Sequence, residues 1–252
     1  MRREWHRARP AIEGRSSTAT ALAARAQRTP DGGCDRALSC LPYIAGVVKE
    51  AGVSNAQPLS ILASQAVDSL SGTHYAIADA IDQVPSKPGL YAVYADPETW
   101  QELNLEIRVG CPLYVGKAEQ SLQSRDIRTH FATGRTGSST VRRSFAALLR
   151  NPLGLRGVPR NMARPERPAN FGLAAEGDER LTAWMQEQLF LAYWVKPDTE
   201  VDLNDIETAV IKRWQPPLNL NKVDHHLPTV RDARRVMADD ARTWARERGF
   251  PL

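Results

Sequence analysis

The chain has only three cysteines in 252 residues, Cys34, Cys40 and Cys111, and no C-x-x-C pair. That pattern argues against a disulfide framework and a cysteine-built zinc ribbon, and it fits a reducing cytoplasm. Histidine is equally sparse. His6, His74, His130, His225 and His226 show neither H-x-x-x-H nor H-E-x-x-H spacing, so a histidine-built zinc site is not expected. No run of about 18 apolar residues occurs, so no membrane-spanning helix is expected either. Apolar content of 42% and charged content of 25% are ordinary for a globular protein, and 252 residues suffice for one sizeable core. The net charge of +4 leans mildly towards an anionic partner.

Residues 1–40 are rich in Arg, Ala and Ser, without apolar periodicity or the apolar stretch of a secretory leader. Their composition imitates an organellar transit peptide, but a disordered tail or a start codon placed too far upstream is the expectation. Residues 41–84 (PYIAGVVKEAG, PLSILASQAVDSL, THYAIADAIDQV) carry helical patterns separated by Gly, Pro and Ser. Alternating residues in GLYAVYA and PLYVGK predict two strands, and LFLAYWVK a third. Helices are predicted over 122–131, 140–150, LTAWMQEQ, 203–214 and 230–248, the last forming a C-terminal segment within 223–252. The Pro-, Gly- and Arg-rich residues 151–178 read as a long basic surface loop.

One helix holds an out-of-place carboxylate. In DLNDIETAVIKRW, Asp202 is a natural N-cap, and Leu203, Ile206, Val210, Ile211 and Trp214 form an apolar stripe. Glu207 lies on that stripe, where a carboxylate costs roughly several kcal/mol unless a cation, donor or wet cleft receives it. Pro216 and Pro217 stop the helix, and Asn219 follows twelve residues after Glu207. Tyr91 and Tyr114 stand on the faces opposite their apolar strand neighbours, so pairing as a hairpin would bring two phenols onto neighbouring strands. Between Lys117 and Arg167 there are eleven basic residues against three acidic ones, a local excess larger than that of the whole chain. Such a stretch suits backbone contacts to nucleic acid. HFATGRTGSST lacks the Gly-Lys-Ser/Thr ending of a phosphate loop, which excludes an NTPase reading.

Taken in order, GLY at 89–91, YVG at 114–116 followed by a lysine, LQSR ending at Arg125, Glu207, and PPLN ending at Asn219 resemble the GIY-YIG nuclease superfamily over about residues 84–222. The resemblance implies an α+β domain spanning 85–222, with a three-stranded, mainly antiparallel sheet flanked by helices. Residues 41–84 and 223–252 would then be helical extensions.

The resemblance also implies a metal-dependent DNA endonuclease. Tyr91 would be the general base, with Tyr114 binding the phosphate or relaying the proton. Which phenol takes the proton stays open. Arg125 would clamp the scissile phosphate, and Glu207 would hold one Mg²⁺ or Mn²⁺. Asn219 would brace the Glu207 region or contact the backbone. Gly116, Lys117, Arg128, Arg135, Arg142 and Arg143 would contact the nucleic acid. Relatives often carry a histidine four residues after the helix arginine; here that position is Thr129, and His130 is one further on. A catalytic His130 is therefore an expectation with a departure attached. A homodimer is expected if both DNA strands are cut. A nucleic-acid-binding module of the same fold without turnover is the alternative, and a helical adaptor would show no salt-dependent DNA binding.

Overall fold

The computed structural model describes residues 58–123, 128–161 and 168–250; the expectations for residues 1–57, and the 41–57 part of the helical extension, lie outside them. Three strands, β2 (Gly89–Ala95), β3 (Tyr114–Ala118) and β6 (Leu189–Val195), form the antiparallel core of the sheet foreseen from GLYAVYA, PLYVGK and LFLAYWVK. The sheet has a fourth strand, which corrects the expected three. Tyr75–Ala76 (β1) pairs with β6, giving the order β1-β6-β2-β3. β1 interrupts a segment whose periodicity reads as continuous helix, and it separates helix α1 (Leu59–Leu70) from α2 (Ile77–Gln83). A two-residue strand is too short to show alternation, so only its pairing reveals it.

Strand alternation sorts the core into two layers. Leu90, Ala92, Tyr94, Val115, Ala192 and Trp194 pack with α1 and with the stripe of α7 (Leu203–Trp214). Tyr91, Val93, Leu113, Ala118, Leu189 and Leu191 face the other way. They pack with α3 (Pro97–Glu102), α5 (Thr140–Leu148), α6 (Ala175–Gln188) and α8 (Pro228–Glu247). α1 therefore packs on one layer of the sheet and α8 on the helices of the other. Helix α4 is a single turn, Arg128–His130, so the helix expected over 122–131 is described only at its ends. Residues 151–178 are not all loop. Gly157–Val158 (β4) and Gly172–Leu173 (β5) pair there, and α6 begins at Ala175.

Local chemistry accounts for the ends of α7. The Asp202 carboxylate caps its start by accepting from the Asn204 N–H at 2.6 Å. At the other end Gln215 turns left-handed at φ 50°, and Arg108 donates to the carbonyls of Trp214 and Gln215, both at 2.7 Å. The PPLN segment then runs along the outer edge of β3. Leu218 N–H donates to Leu113 O at 3.0 Å, and the Asn219 amide bonds both Val115 N–H and Val115 O, at 3.0 and 2.9 Å. An open sheet edge is thereby closed by a side chain that mimics a strand.

The loop after α4 is fixed by a buried ion pair. Arg142 is 0% exposed and Asp178 2%. The guanidinium donates to Asp178 Oδ2 at 3.1 Å, Thr182 Oγ1 at 2.9 Å, Thr136 Oγ1 at 3.1 Å and His130 O at 3.1 Å. Asp178 also accepts from Gly134 N–H and the Thr136 hydroxyl. Burial pulls the Arg142 pKa down and the Asp178 carboxylate opposes it. This corrects one expectation: Arg142 has no surface left to offer a phosphate, because acceptors on α6 and the 130–136 segment take its donors.

Removing one partner leaves the other charge stranded in the core. Asp178→Ala should lower unfolding free energy by about 3–5 kcal/mol in a denaturant titration. The paired change Arg142→Met with Asp178→Leu should recover much of that loss.

Candidate active site

A cavity of about 220 Å³ opens beside the β2–β3 hairpin, lined by Tyr91, Tyr114, Lys117, Glu119, Thr129, His130 and Ser138. The hairpin register creates it. Tyr91 lies opposite Gly116 and Tyr114 opposite Val93, which puts both phenols on one face. Their ring centroids are 6.1 Å apart, and the Tyr91 ring lies 5.7 Å from that of His130.

Gly116 makes this possible. A Cβ built there would sit 2.3 Å from Tyr91 Oη and 2.5 Å from Cζ. The space that the YVG glycine leaves open is thus filled by the Tyr91 phenol, and β3 continues past it to Ala118 rather than turning. Tyr91 is 2% exposed, whereas Tyr114 is half-buried.

His130 is held on the cavity wall from two directions. Its carbonyl accepts from Arg142, and its Nδ1 pairs with Ser139 Oγ at 2.6 Å. Ser139 is also the N-cap of α5, accepting from Arg142 N–H at 3.1 Å. His130 and Thr129 both line the cavity, so the one-residue offset from relatives leaves His130 within the site.

Glu207 is not among the lining residues of that cavity. It is 8% exposed on α7, on the layer opposite the phenols. The two are joined by a polar chain around the β3 edge. Lys117, on β3, donates to Asn204 Oδ1 at 3.4 Å and pairs with Glu119 at 2.9 Å. Lys222 Nζ meets Asn204 Oδ1 at 2.6 Å, Asn204 O at 3.4 Å and Glu207 Oε2 at 2.5 Å. The cation that receives the stripe carboxylate is therefore Lys222, fifteen residues on, in a left-handed backbone conformation at φ 66°. Asn204 and Lys222 were missed from the sequence. Their only trace in the sequence is a basic residue three positions after PPLN and an Asn one turn before Glu207.

Among the described residues no group of three or more His, Cys, Asp or Glu could hold a metal. Three oxygens of Asn204 and Glu207 do converge on one positive charge. Hard oxygen donors in small number suit Mg²⁺ or Mn²⁺, which keep several waters, so the donor set fits such an ion provided Lys222 yields its place. Asn219 acts on β3 rather than in the cavity. Arg143 is buried, Arg135 is exposed, Arg125 lies outside the described residues, and only the backbone of Arg128 is described.

The family model of the GIY-YIG catalytic domain matches residues 89–235, a span that starts at β2 and ends inside α8. No curated protein and no solved structure matches the chain.

Gly116→Ala should displace the Tyr91 ring and lower stability by about 1–3 kcal/mol in a denaturant melt. In a Tyr91→Ala background, where the ring is gone, the same glycine substitution should have little effect, and a full-sized loss there would refute the contact.

Proposed function

Since the chain belongs to the GIY-YIG catalytic-domain family, with 89–235 matched, we propose that it is a metal-dependent DNA endonuclease that hydrolyses phosphodiester bonds. The observation that carries this reading is the convergence of Tyr91, Tyr114, Lys117 and His130 on one cavity. Hydrolysis needs a water deprotonated, charge on the phosphate neutralised and a leaving oxygen stabilised.

A phenol with an ordinary pKa of about 10 is ionised near neutrality, and so able to take a proton from water, only with cations beside it. Lys117 supplies one inside the cavity, and Arg143 and Arg234 act on Tyr114 electrostatically from α5 and α8. Tyr91 is held in place by Gly116, and Tyr114 is the more accessible phenol, so a water or phosphate oxygen meets Tyr114 with less rearrangement. His130, whose Nδ1 meets Ser139 Oγ, in this reading hydrogen-bonds the phosphate or carries a proton. In this reading Arg125 clamps the scissile phosphate, a role that planar guanidinium geometry suits. Arg128 and Arg135 contact the strand further out.

Glu207, with Asn204 Oδ1 beside it, is the proposed holder of one Mg²⁺ or Mn²⁺. When bound, such an ion stabilises charge on the leaving oxygen. Until then Lys222 neutralises the carboxylate and keeps a buried charge tolerable. One active site cuts one strand, so breaking both needs a dimer or two events.

The Lys222–Glu207 pair also favours the alternative, a DNA-binding module of this fold without turnover, because the proposed metal ligand is already engaged by an ammonium. Plasmid nicking separates the two. With Mg²⁺ or Mn²⁺ the wild-type chain should nick supercoiled plasmid, and EDTA or Glu207→Ala should reduce nicking by at least about a hundredfold while DNA binding persists. Binding without nicking by the wild type would establish the module instead. Lys222→Met should shift Mn²⁺ binding, followed by electron paramagnetic resonance, to lower metal concentration. An unshifted titration would separate Lys222 from the metal.

A further inference from the structure

Three arginines gather around residues 137–144 with no carboxylate among them. Arg143, on α5, donates to Gly137 O at 2.8 Å and to Thr140 Oγ1 at 3.3 Å. Arg234, on α8, donates to Thr140 O at 3.4 Å and Ser144 Oγ at 3.3 Å. The Arg160 stem crosses Gly137 so closely that a Cβ there would sit 2.6 Å from Arg160 Cγ. Three other arginines in this part of the chain have acidic partners: Arg142 with Asp178, Arg150 with Asp240, Arg156 with Glu247. Among the described residues Arg143, Arg160 and Arg234 have none.

Such an arrangement is electrostatically unfavourable in isolation. Arg143 is 7% exposed, and its Nε is buried with no hydrogen-bond partner. Burial, then Arg234 and Arg160, push its pKa down to about 10. Like charges so placed are relieved by an anion, and the N-terminus of α5, capped by Ser139, adds its positive end to the same spot. The cluster adjoins the cavity: Ser138 lines it, one residue from Gly137, and Tyr114 is the phenol on which both Arg143 and Arg234 act.

We propose that Arg160 and Arg234, backed by the buried Arg143, form a phosphate-binding subsite beside Tyr114 that holds a backbone phosphate of the DNA strand flanking the one hydrolysed. The subsite rests on the nuclease reading for its ligand. It gives the strand a second anchor next to the cavity, fixing register without reading sequence.

The test is binding of a fluorescent duplex to the full chain in EDTA, where no cleavage occurs, over a range of salt. Arg160→Ala and Arg234→Ala should each weaken binding roughly tenfold and reduce the slope of log affinity against log salt by about 0.9. Arg234→Lys should restore most of the slope, and Arg156→Ala, whose guanidinium already pairs with Glu247, should leave it unchanged. Inorganic phosphate should compete with DNA less effectively in the two alanine variants. Unchanged slopes in both variants, with folding intact by thermal melt, would overturn the subsite even if plasmid nicking succeeds. Phosphate binding that the variants lose while DNA binding is unaffected would also overturn it, marking a free-anion site instead. Slopes that fall as expected in a chain that never nicks would leave the subsite standing and remove the nuclease.

Discussion

The Arg142–Asp178 pair is the constraint on which the site depends. A guanidinium with no water around it must spend every donor on protein, and here those donors reach α6, the 134–136 turn and the carbonyl of His130. One interaction therefore sets the depth of α5, the path of the loop after α4 and the position of the cavity's histidine wall. Its energetic worth is best seen in the negative. An Arg–Asp pair in a core gains little over a well-packed apolar pair, yet either member alone is costly. What it supplies is direction: apolar contacts would let residues 130–139 slide, whereas five directed hydrogen bonds do not.

The opposite wall is built on a strand edge. β3 is the last strand of the sheet, and its outer backbone groups at Leu113 and Val115 are taken by Leu218 and the Asn219 amide. Proline-stiffened PPLN delivers Asn219 with little freedom to lose. Because α7 and PPLN are contiguous, fixing Asn219 on β3 also fixes where Glu207 and Lys222 stand relative to Lys117. The phenols on one layer and the carboxylate on the other are thus coupled at the β3 edge through Lys117, which lines the phenol cavity and also reaches Asn204.

Much of this was legible in the sequence, for reasons that can be named. GLYAVYA and LFLAYWV are apolar, aromatic-rich runs of strand length, the α7 stripe carries a clear helical period, and Asp202 and the double proline bracket α7. Glu207 stood out because a charge on an apolar stripe violates the pattern. Two things were hidden. β1 is two residues long, so its identity lies in pairing with β6. Lys222 is brought to Glu207 and Asn204 by the return of the chain after the prolines, a long-range event that no local spacing encodes. Arg142 was misread for a related reason. Counting charge along 117–167 treats every arginine alike, while the fold divides them into a buried hub, surface ion pairs and an unpaired cluster.

That division bears on what a basic stretch means in this chain. Arg142, Arg150 and Arg156 have carboxylates on α6 and α8, so much of the local excess is spent on the fold itself. Among the described residues, Arg143, Arg160 and Arg234 meet at the start of α5 with no carboxylate beside them, and Arg143 and Arg234 interact electrostatically with Tyr114. Charge left over after internal pairing, rather than total charge, is what an incoming phosphate experiences. The same principle operates in reverse at Glu207, where the one carboxylate expected to meet a metal is neutralised by an ammonium from its own chain. One end of the site holds uncompensated positive charge and the other a compensated negative one.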